Sequence, residues 1–408
     1  MKKEPLVAGL DLGPRQFVLA AGVLRDSHQL VVQAVESVPA QGFEKEGLTD
    51  PIECTDAVSR LVRQAERALS SRIPGATVAF PAGQLKSFNA NAVVPVQDPG
   101  GGISRQDVEK AVSTCRSLAL DYDRQILHSF ERGYAVDGQT GVKNPIGLSG
   151  KKLSVDLHLV TAPNTGIQSL TRVLGRAGLE VERFVLPGIG VAEAVLADVD
   201  RDLGVTLVRV GDSQMEVLLF DDGEVRETFL ISGGMEDLAE SISRSFKLPH
   251  VSAEHLLEQV STVEELSEER AAVPLRAGLG ASVRSFPQGQ VVQAVRARTK
   301  DLLTRVQRRL EGNPIFLDCA SGVVMAGHFS RLEGFLEMAE QTFNAPVRLG
   351  TVKEVEVAEG ITLKAQDAVA IGLLRHSARR KAALGRLSNS APWMRPLETV
   401  QRLLQDYF

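Results

Sequence analysis

The chain opens its two halves in the same way, and that constrains its fold more than any other feature. Residues 7–21 read as an apolar strand, VAGLDL, a four-residue turn opened by glycine, GPRQ, and a second apolar strand, FVLAA. About 200 residues later, positions 204–220 read GVTLVRV, GDSQ and MEVLLF. Self-similarity at that distance predicts two homologous lobes, each contributing one hairpin turn to a cleft. A third strand follows each pair, entered in the second lobe through Asp221, Asp222 and Gly223. Beyond them amphipathic helices alternate with short apolar strands, starting with a helix over 56–70 and a strand over 76–80. That alternation predicts an α/β protein.

The expected domain plan adds further segments to the two lobes of the repeat. The first lobe takes residues 1–84 and 163–200, and 85–162 form an insertion with its own architecture. Ser104, with Asp107 three positions on, opens a helix there. Strands follow at 126–130 and 153–160, the second alternating Leu153, Val155, Leu157 and Leu159 with polar residues. After the insertion Asn164 caps a helix, a strand covers 180–186, and 190–199 are helical. The second lobe spans 201–387, with a small subdomain at about 235–312 and a closing helix over 365–387. Residues 388–392 read as a linker to a terminal helix over 393–408.

Composition excludes several function classes. Net charge is −5, so nucleic acid is not an expected partner. No apolar run is long enough to span a bilayer. Asp11 interrupts the apolar opening too early for a signal peptide, so the body is expected in the cytoplasm. Cys54, Cys115 and Cys319 are scattered, and the seven His show no ligand spacing, so neither a disulfide framework nor a metal site is expected. Gly100–Gly102 lack the lysine of a phosphate loop, Ser149 and Lys152 have no partner motif, and Gly188–Glu193 read as close helix packing. Charge is nevertheless uneven: residues 375–408 carry seven Lys or Arg against two Asp or Glu.

Paired glycine turns in two α/β lobes resemble the actin and Hsp70 superfamily. Within it, ERGYAVDGQTGV, NPIGLSG and KKLSVDLHLVTA in the insertion resemble the bacterial cell-division protein family FtsA. VAGLDLG, LGVTLVRVG, SGVVMAGHFSRLEGFLEMAEQTFNAPVRLG and DAVAIGLL extend the resemblance over nearly the whole chain. It implies an actin-like (ribonuclease H-like) two-lobed fold with an FtsA-type inserted subdomain and a C-terminal amphipathic helix. The family ligand is ATP with magnesium, which places Asp11, Gly13, Gly211, Asp212 and Gly327 at the nucleotide positions.

The nucleotide motifs depart from the family pattern. Pro14 removes a backbone donor from the first turn. Arg209 stands where the family has an aspartate, and Asp212 and Ser213 replace glycines that let backbone approach phosphate. Ala326, Gly327 and His328 replace Thr-Gly-Gly, and Leu257 stands at the position compared with a nucleotide-contacting lysine. The expectation is weak or absent ATP binding, no catalytic residue and no ATPase activity.

The last residues carry their own signal. After Pro396, Leu397, Val400, Leu404 and Tyr407 or Phe408 continue a stripe begun by Trp393, with basic residues upstream. This predicts a helix lying in an anionic membrane surface. The segment 290–310 carries Arg296 and Arg298 on a basic helix. The resemblance implies docking of the acidic C-terminal tail of the tubulin-like protein FtsZ there, against the alternative of a solvated face. It also implies head-to-tail self-association through the insertion. Together these describe an adaptor peripheral to the cytoplasmic face of the inner membrane at the division site, tying FtsZ filaments to the membrane and recruiting later divisome proteins. Two alternatives are an active ATPase of the same fold and a scaffold like PilM of type IV pili.

Overall fold

A computed structural model describes residues 5–25, 29–261, 273–276, 283–286, 288–327, 334–353 and 355–389. They form two α/β units. In the first, β1 (Leu6–Leu12), β2 (Gln16–Arg25) and β3 (Gln29–Pro39) make an antiparallel meander, and α1 (Pro51–Leu69) leads into β4 (Gly75–Ala79). The insertion contains β5 (Lys86–Pro95), α2 (Arg105–Ala119), β6 (Arg124–Val136), β7 (Gln139–Val142) and β8 (Lys152–Pro163). Next come α3 (Asn164–Arg176), β9 (Glu180–Val185) and α4 (Pro187–Val195). The second unit contains β10 (Val205–Val210), β11 (Gln214–Asp221), β12 (Glu224–Ser232), α5 (Met235–Phe246), α6 (His250–Ser261), α7 (Gln288–Leu310), β13 (Val323–Gly327), α8 (Phe335–Phe343) and β14 (Val347–Leu349).

The repeat read from the sequence is a repeat of topology. The sheet of the first unit runs β3-β2-β1-β4-β9, with a two-residue strand, Glu356–Val357, beside β3. The second runs β12-β11-β10-β13-β14, the same order of antiparallel meander followed by two parallel strands. Asp222 and Gly223 both take positive φ, as a tight turn from β11 into β12 requires.

The insertion is a separate sheet, β5-β8-β6-β7, with its own apolar core. Its helix starts where expected, because Ser104 and Asp107 form a reciprocal capping box. β5 was not expected. Phe88, Ala90, Ala92 and Val94 do recur with period two toward that core, but Asn89 and Asn91 between them dilute the strand signal.

Several expectations need correction. Asn164 does not cap α3: Pro163 holds the cap position without a side-chain bond, and Asn164 Nδ2 donates instead to the Tyr122 carbonyl at 3.3 Å. α1 starts earlier than residue 56, because the Asp50 carboxylate accepts from the amides of Ile52 and Glu53 and Pro51 occupies the first turn. The stretch 190–199 is not one helix, since α4 ends at Val195 and a short helix, Asp198–Asp202, follows.

The closing helix, Ala368–Asn389, runs through the first two residues assigned to the linker and belongs to the first unit rather than the second. Its packing explains why. A Cβ on Gly9 of β1 would lie 2.3 Å from the Ala370 carbonyl oxygen, and one on Gly372 would lie 1.6 Å from the Gly190 carbonyl oxygen on α4. Glycine at those positions lets the helix seat directly on β1 and α4.

Residues Glu224–Thr228, the first part of β12, also group with the first unit. There His158 of β8 is fully buried between Asn89 and Thr228. Its Nε2 accepts from the Thr228 amide at 3.0 Å, so the ring carries its proton on Nδ1, which donates to Asn89 Oδ1 at 2.6 Å. Burial, with Arg132 adding to it, lowers the imidazole pKa to about 3.

Candidate functional site

Each unit presents the turn that its repeat carries. In the first, Asp11 lies half-buried near the end of β1, opposite Val18, and the Gly13 amide closes the turn by donating to the Gln16 carbonyl at 3.1 Å. Pro14 and Arg15 form the tip, and the Arg15 carbonyl accepts from Ala40 at 2.9 Å. In the second, the Gly211 amide donates to the Gln214 carbonyl at 3.0 Å, the same closure three residues apart.

The second turn is occupied by its own protein. Its carbonyls at Gly211 and Asp212 accept from the amides of Met235 (3.1 Å) and Glu236 (2.8 Å), the first residues of α5. The Gly233 amide donates to the Ser213 carbonyl at 2.9 Å, and the Gly234 amide to Asp237 Oδ2 at 2.9 Å. Amides at a helix start hold an anion well when nothing else takes them. Here turn and helix satisfy one another, and the approach is so close that a Cβ on Gly234 would lie 2.3 Å from the Gly211 carbonyl oxygen.

Arg209, the departure from the family carboxylate, faces Glu216 across the β10–β11 hairpin. Its Nη1 reaches Glu216 Oε1 at 2.5 Å, and Glu216 is completely buried. The cation is therefore neutralised within its own hairpin. Sequence reasoning missed Glu216, although a glutamate inside the apolar strand MEVLLF, opposite an arginine, is a readable sign. Gly327, at the end of β13, has φ 118°, and a Cβ there would lie 2.3 Å from the Val210 carbonyl oxygen, so glycine serves the sheet itself. His328 lies outside the described residues.

The position compared above with a nucleotide-contacting lysine has a packing role. Leu257 is buried in the apolar core of the second unit, with Leu238, Ile242 and Val291.

The two arginines expected to meet a partner, Arg296 and Arg298, have different surroundings. Arg298 is part-buried and pairs with Asp237, the carboxylate that caps α5, and with Asp301 at 2.6 Å. Arg305 joins the same group through Asp301 at 2.9 Å. Arg296 is exposed and passes over Gly334. Trp393, Leu397, Val400, Leu404, Tyr407 and Phe408 lie outside the described residues, as do the last three positions of the expected linker. Among the described residues no cluster of His, Cys, Asp or Glu could hold a metal ion, and no helix is long and apolar enough to cross a membrane.

Comparison with known proteins places this geometry in context. The family model of the SHS2 domain inserted in FTSA matches residues 82–161. The cell division protein FtsA of Pseudomonas aeruginosa is 26% identical over 412 residues, covering 99% of this chain and 98% of that protein. FtsA of Escherichia coli K12 is 26% identical, covering 91% of this chain and 90% of its own. Among solved structures, a PilM–PilN type IV pilus biogenesis complex aligns with a TM-score of 0.64 at 15% identity, covering 91% of this chain and 98% of that one. MreB5 of Spiroplasma citri bound to ADP aligns at 0.56 and 9% identity, covering 94% and 99%. The actin-like fold with an FtsA-type insertion, expected from the resemblance, is the fold of this chain.

Proposed function

We propose that this chain, an FtsA-type actin-like protein, serves bacterial cell division as an adaptor that tethers FtsZ filaments to the cytoplasmic membrane and does not turn over ATP. One observation carries the reading: similarity to FtsA proteins runs from end to end of both chains and includes the inserted subdomain. In this reading the insertion associates with neighbouring copies, the basic face around Arg296 and Arg298 receives the acidic FtsZ tail, and 393–408 lie in the lipid surface. The protein then sits peripherally on the cytoplasmic face at the division site and gathers later divisome proteins.

The Arg209–Glu216 pair and the occupied amides at the start of α5 support the absence of turnover. An ATPase needs groups at this turn that organise metal and water around the transferred phosphate. Here the charge is basic and already spent on a carboxylate. ATP with magnesium is accordingly bound weakly or not at all.

Affinity capture from the native cell, scored for FtsZ against pilus components, tests the adaptor reading. Recovery of FtsZ supports it, and recovery of pilus proteins alone favours the PilM-like alternative. Deleting 85–162 separates self-association from folding: the deletion variant should stay folded and lose assembly on lipid.

A further inference from the structure

The helices of the first unit bring a set of arginines to one end of its sheet. α1 feeds β4 and α3 feeds β9, and both strands run parallel to β1. Both helices therefore finish at the end where β1 begins, opposite the end that carries Asp11 and Gly13. α1 packs against α3. Arg63 and Arg67 lie one turn apart on α1, Arg72 follows in the loop, and Arg172 and Arg176 occupy the last turns of α3. All five are exposed, and none makes an ion pair or side-chain hydrogen bond among the described residues. Arg63, Arg67 and Arg72 line one open depression of about 390 Å³.

Nearby acids offset only part of this charge. Glu66 lines the same depression and accepts the Ile73 amide at 2.9 Å, Glu182 is paired with Lys381 at 2.8 Å, and Glu180 is exposed, so at most two free carboxylates stand against the five arginines. One basic residue in a last helical turn is explained by the helix dipole. Five unpaired arginines converging from two helices and a loop exceed what two dipoles require.

The chain's exit is at the same end. The Ala368–Asn389 helix passes Gly9 at Ala370 and Leu374, and Leu6 at Lys381, whose Nζ reaches the Leu6 carbonyl at 3.0 Å. It thus travels toward the start of β1, and eight further residues to Asn389 carry it about 12 Å beyond. The amphipathic sequence 393–408 follows later in the chain.

We propose that this arginine-bearing end of the first unit is a second membrane contact, a surface that takes up the phosphate headgroups of an anionic lipid layer beside the inserted terminal segment. The inference rests on the membrane-tether reading and adds to it a folded face that sets the orientation of the unit on the lipid. Partial neutralisation by guanidinium groups suits a layer of phosphates, because each arginine can engage a separate headgroup without a shaped pocket.

Flotation of the full-length protein tests it, with vesicles of phosphatidylcholine alone or mixed with phosphatidylglycerol. The exposed triple change Arg63→Gln, Arg67→Gln, Arg72→Gln should weaken binding to the anionic vesicles roughly tenfold or more at moderate salt and leave any binding to neutral vesicles unchanged. The double change Arg172→Gln, Arg176→Gln should weaken it independently. Leu397→Glu with Leu404→Glu in the full chain reports on the terminal segment and should lower binding to both vesicle types. Loss in the arginine variants with no loss in the leucine variant removes the terminal helix and keeps the arginine face. Wild-type affinity in both arginine variants overturns the face and leaves the helix. Competition by millimolar inorganic phosphate, or preferential capture of RNA by these arginines, also overturns it, since either marks an anion site or partner other than lipid.

Discussion

Arg209 and Glu216 are cross-strand partners on the β10–β11 hairpin and form an ion pair, at the position where the family resemblance leads one to expect an aspartate. Glu216 has no exposure, and Arg209 retains about a fifth of its side-chain surface. Removing the guanidinium leaves a buried carboxylate short of its cation, which is far costlier than losing an exposed pair. Arg209→Ala should destabilise the protein by about 2–4 kcal/mol in urea unfolding, and Glu216→Gln by less. A cost below about 0.5 kcal/mol for Arg209→Ala would mean that the pair contributes no structure.

The same pair determines how the nucleotide site responds to repair. Arg209→Asp restores the family residue but sets a second carboxylate against Glu216, so it should lower stability and produce no ATP binding. Calorimetry with Mg-ATP is expected to detect no tight binding in the wild type or this variant. A low-micromolar dissociation constant in the wild type, or hydrolysis lost on Asp11→Ala, overturns the claim.

Local signals with a fixed period or spacing were readable before the structure. The two turns, the strand order they imply and the Ser104–Asp107 cap all lie within a few residues of their causes in the chain. What escaped depended on distant partners. The Ala368–Asn389 helix was assigned to the second lobe by sequence proximity, whereas Gly9, Gly190 and Gly372 decide its docking from three separate segments. His158 alternates with leucines like any exposed strand residue, and only the fold brings Thr228 to its ring. At the candidate site, the degenerate positions could be named from their residue types. That the α5 amides are consumed by Gly211 and Asp212 requires coordinates.

His158 makes the first unit acid-sensitive. Its pKa falls to about 3 on folding from an ordinary value near 6.5, so the unfolded chain binds more protons between those limits. Its contribution is fully present above pH ~6.5 and declines by about 1.4 kcal/mol per unit as pH falls toward the folded pKa. Urea midpoints measured from pH 7 to 4 should drop less steeply in His158→Gln than in the wild type. Parallel profiles would assign the acid sensitivity to other groups.

Gly372 is the tightest contact of the closing helix. An alanine there places its Cβ 1.6 Å from a backbone oxygen, which cannot be relieved by a side-chain rotation. Gly372→Ala should therefore cost about 3 kcal/mol or more, at the upper end of overpacking penalties, despite its better helix propensity. Thermal unfolding measures this, and an unchanged or raised midpoint would show that the helix can shift along β1.

The basic helix offers two arginines whose changes should read differently. Arg298 holds Asp237, and Asp237 in turn accepts the Gly234 amide at the start of α5. Reversing Arg298 therefore places like charges together and loosens α5, so weaker peptide binding by that variant would not by itself identify a docking contact. Arg296 is exposed and passes over Gly334. Arg296→Glu should leave the urea midpoint within about 0.5 kcal/mol of wild type, as surface changes usually do. It should weaken binding of an acidic FtsZ tail peptide by a few-fold and reduce the salt dependence, since an exposed charge contact is worth about 0–1 kcal/mol and acts largely on association rate. Arg298→Ala should lower stability by about 1–3 kcal/mol through the lost Asp237 contact, whatever the peptide does. Fluorescence anisotropy of the labelled tail at two salt concentrations, beside urea unfolding of each variant, separates the two effects. Unchanged affinity and unchanged salt slope in a folded Arg296→Glu protein would move the tail's docking site off this face.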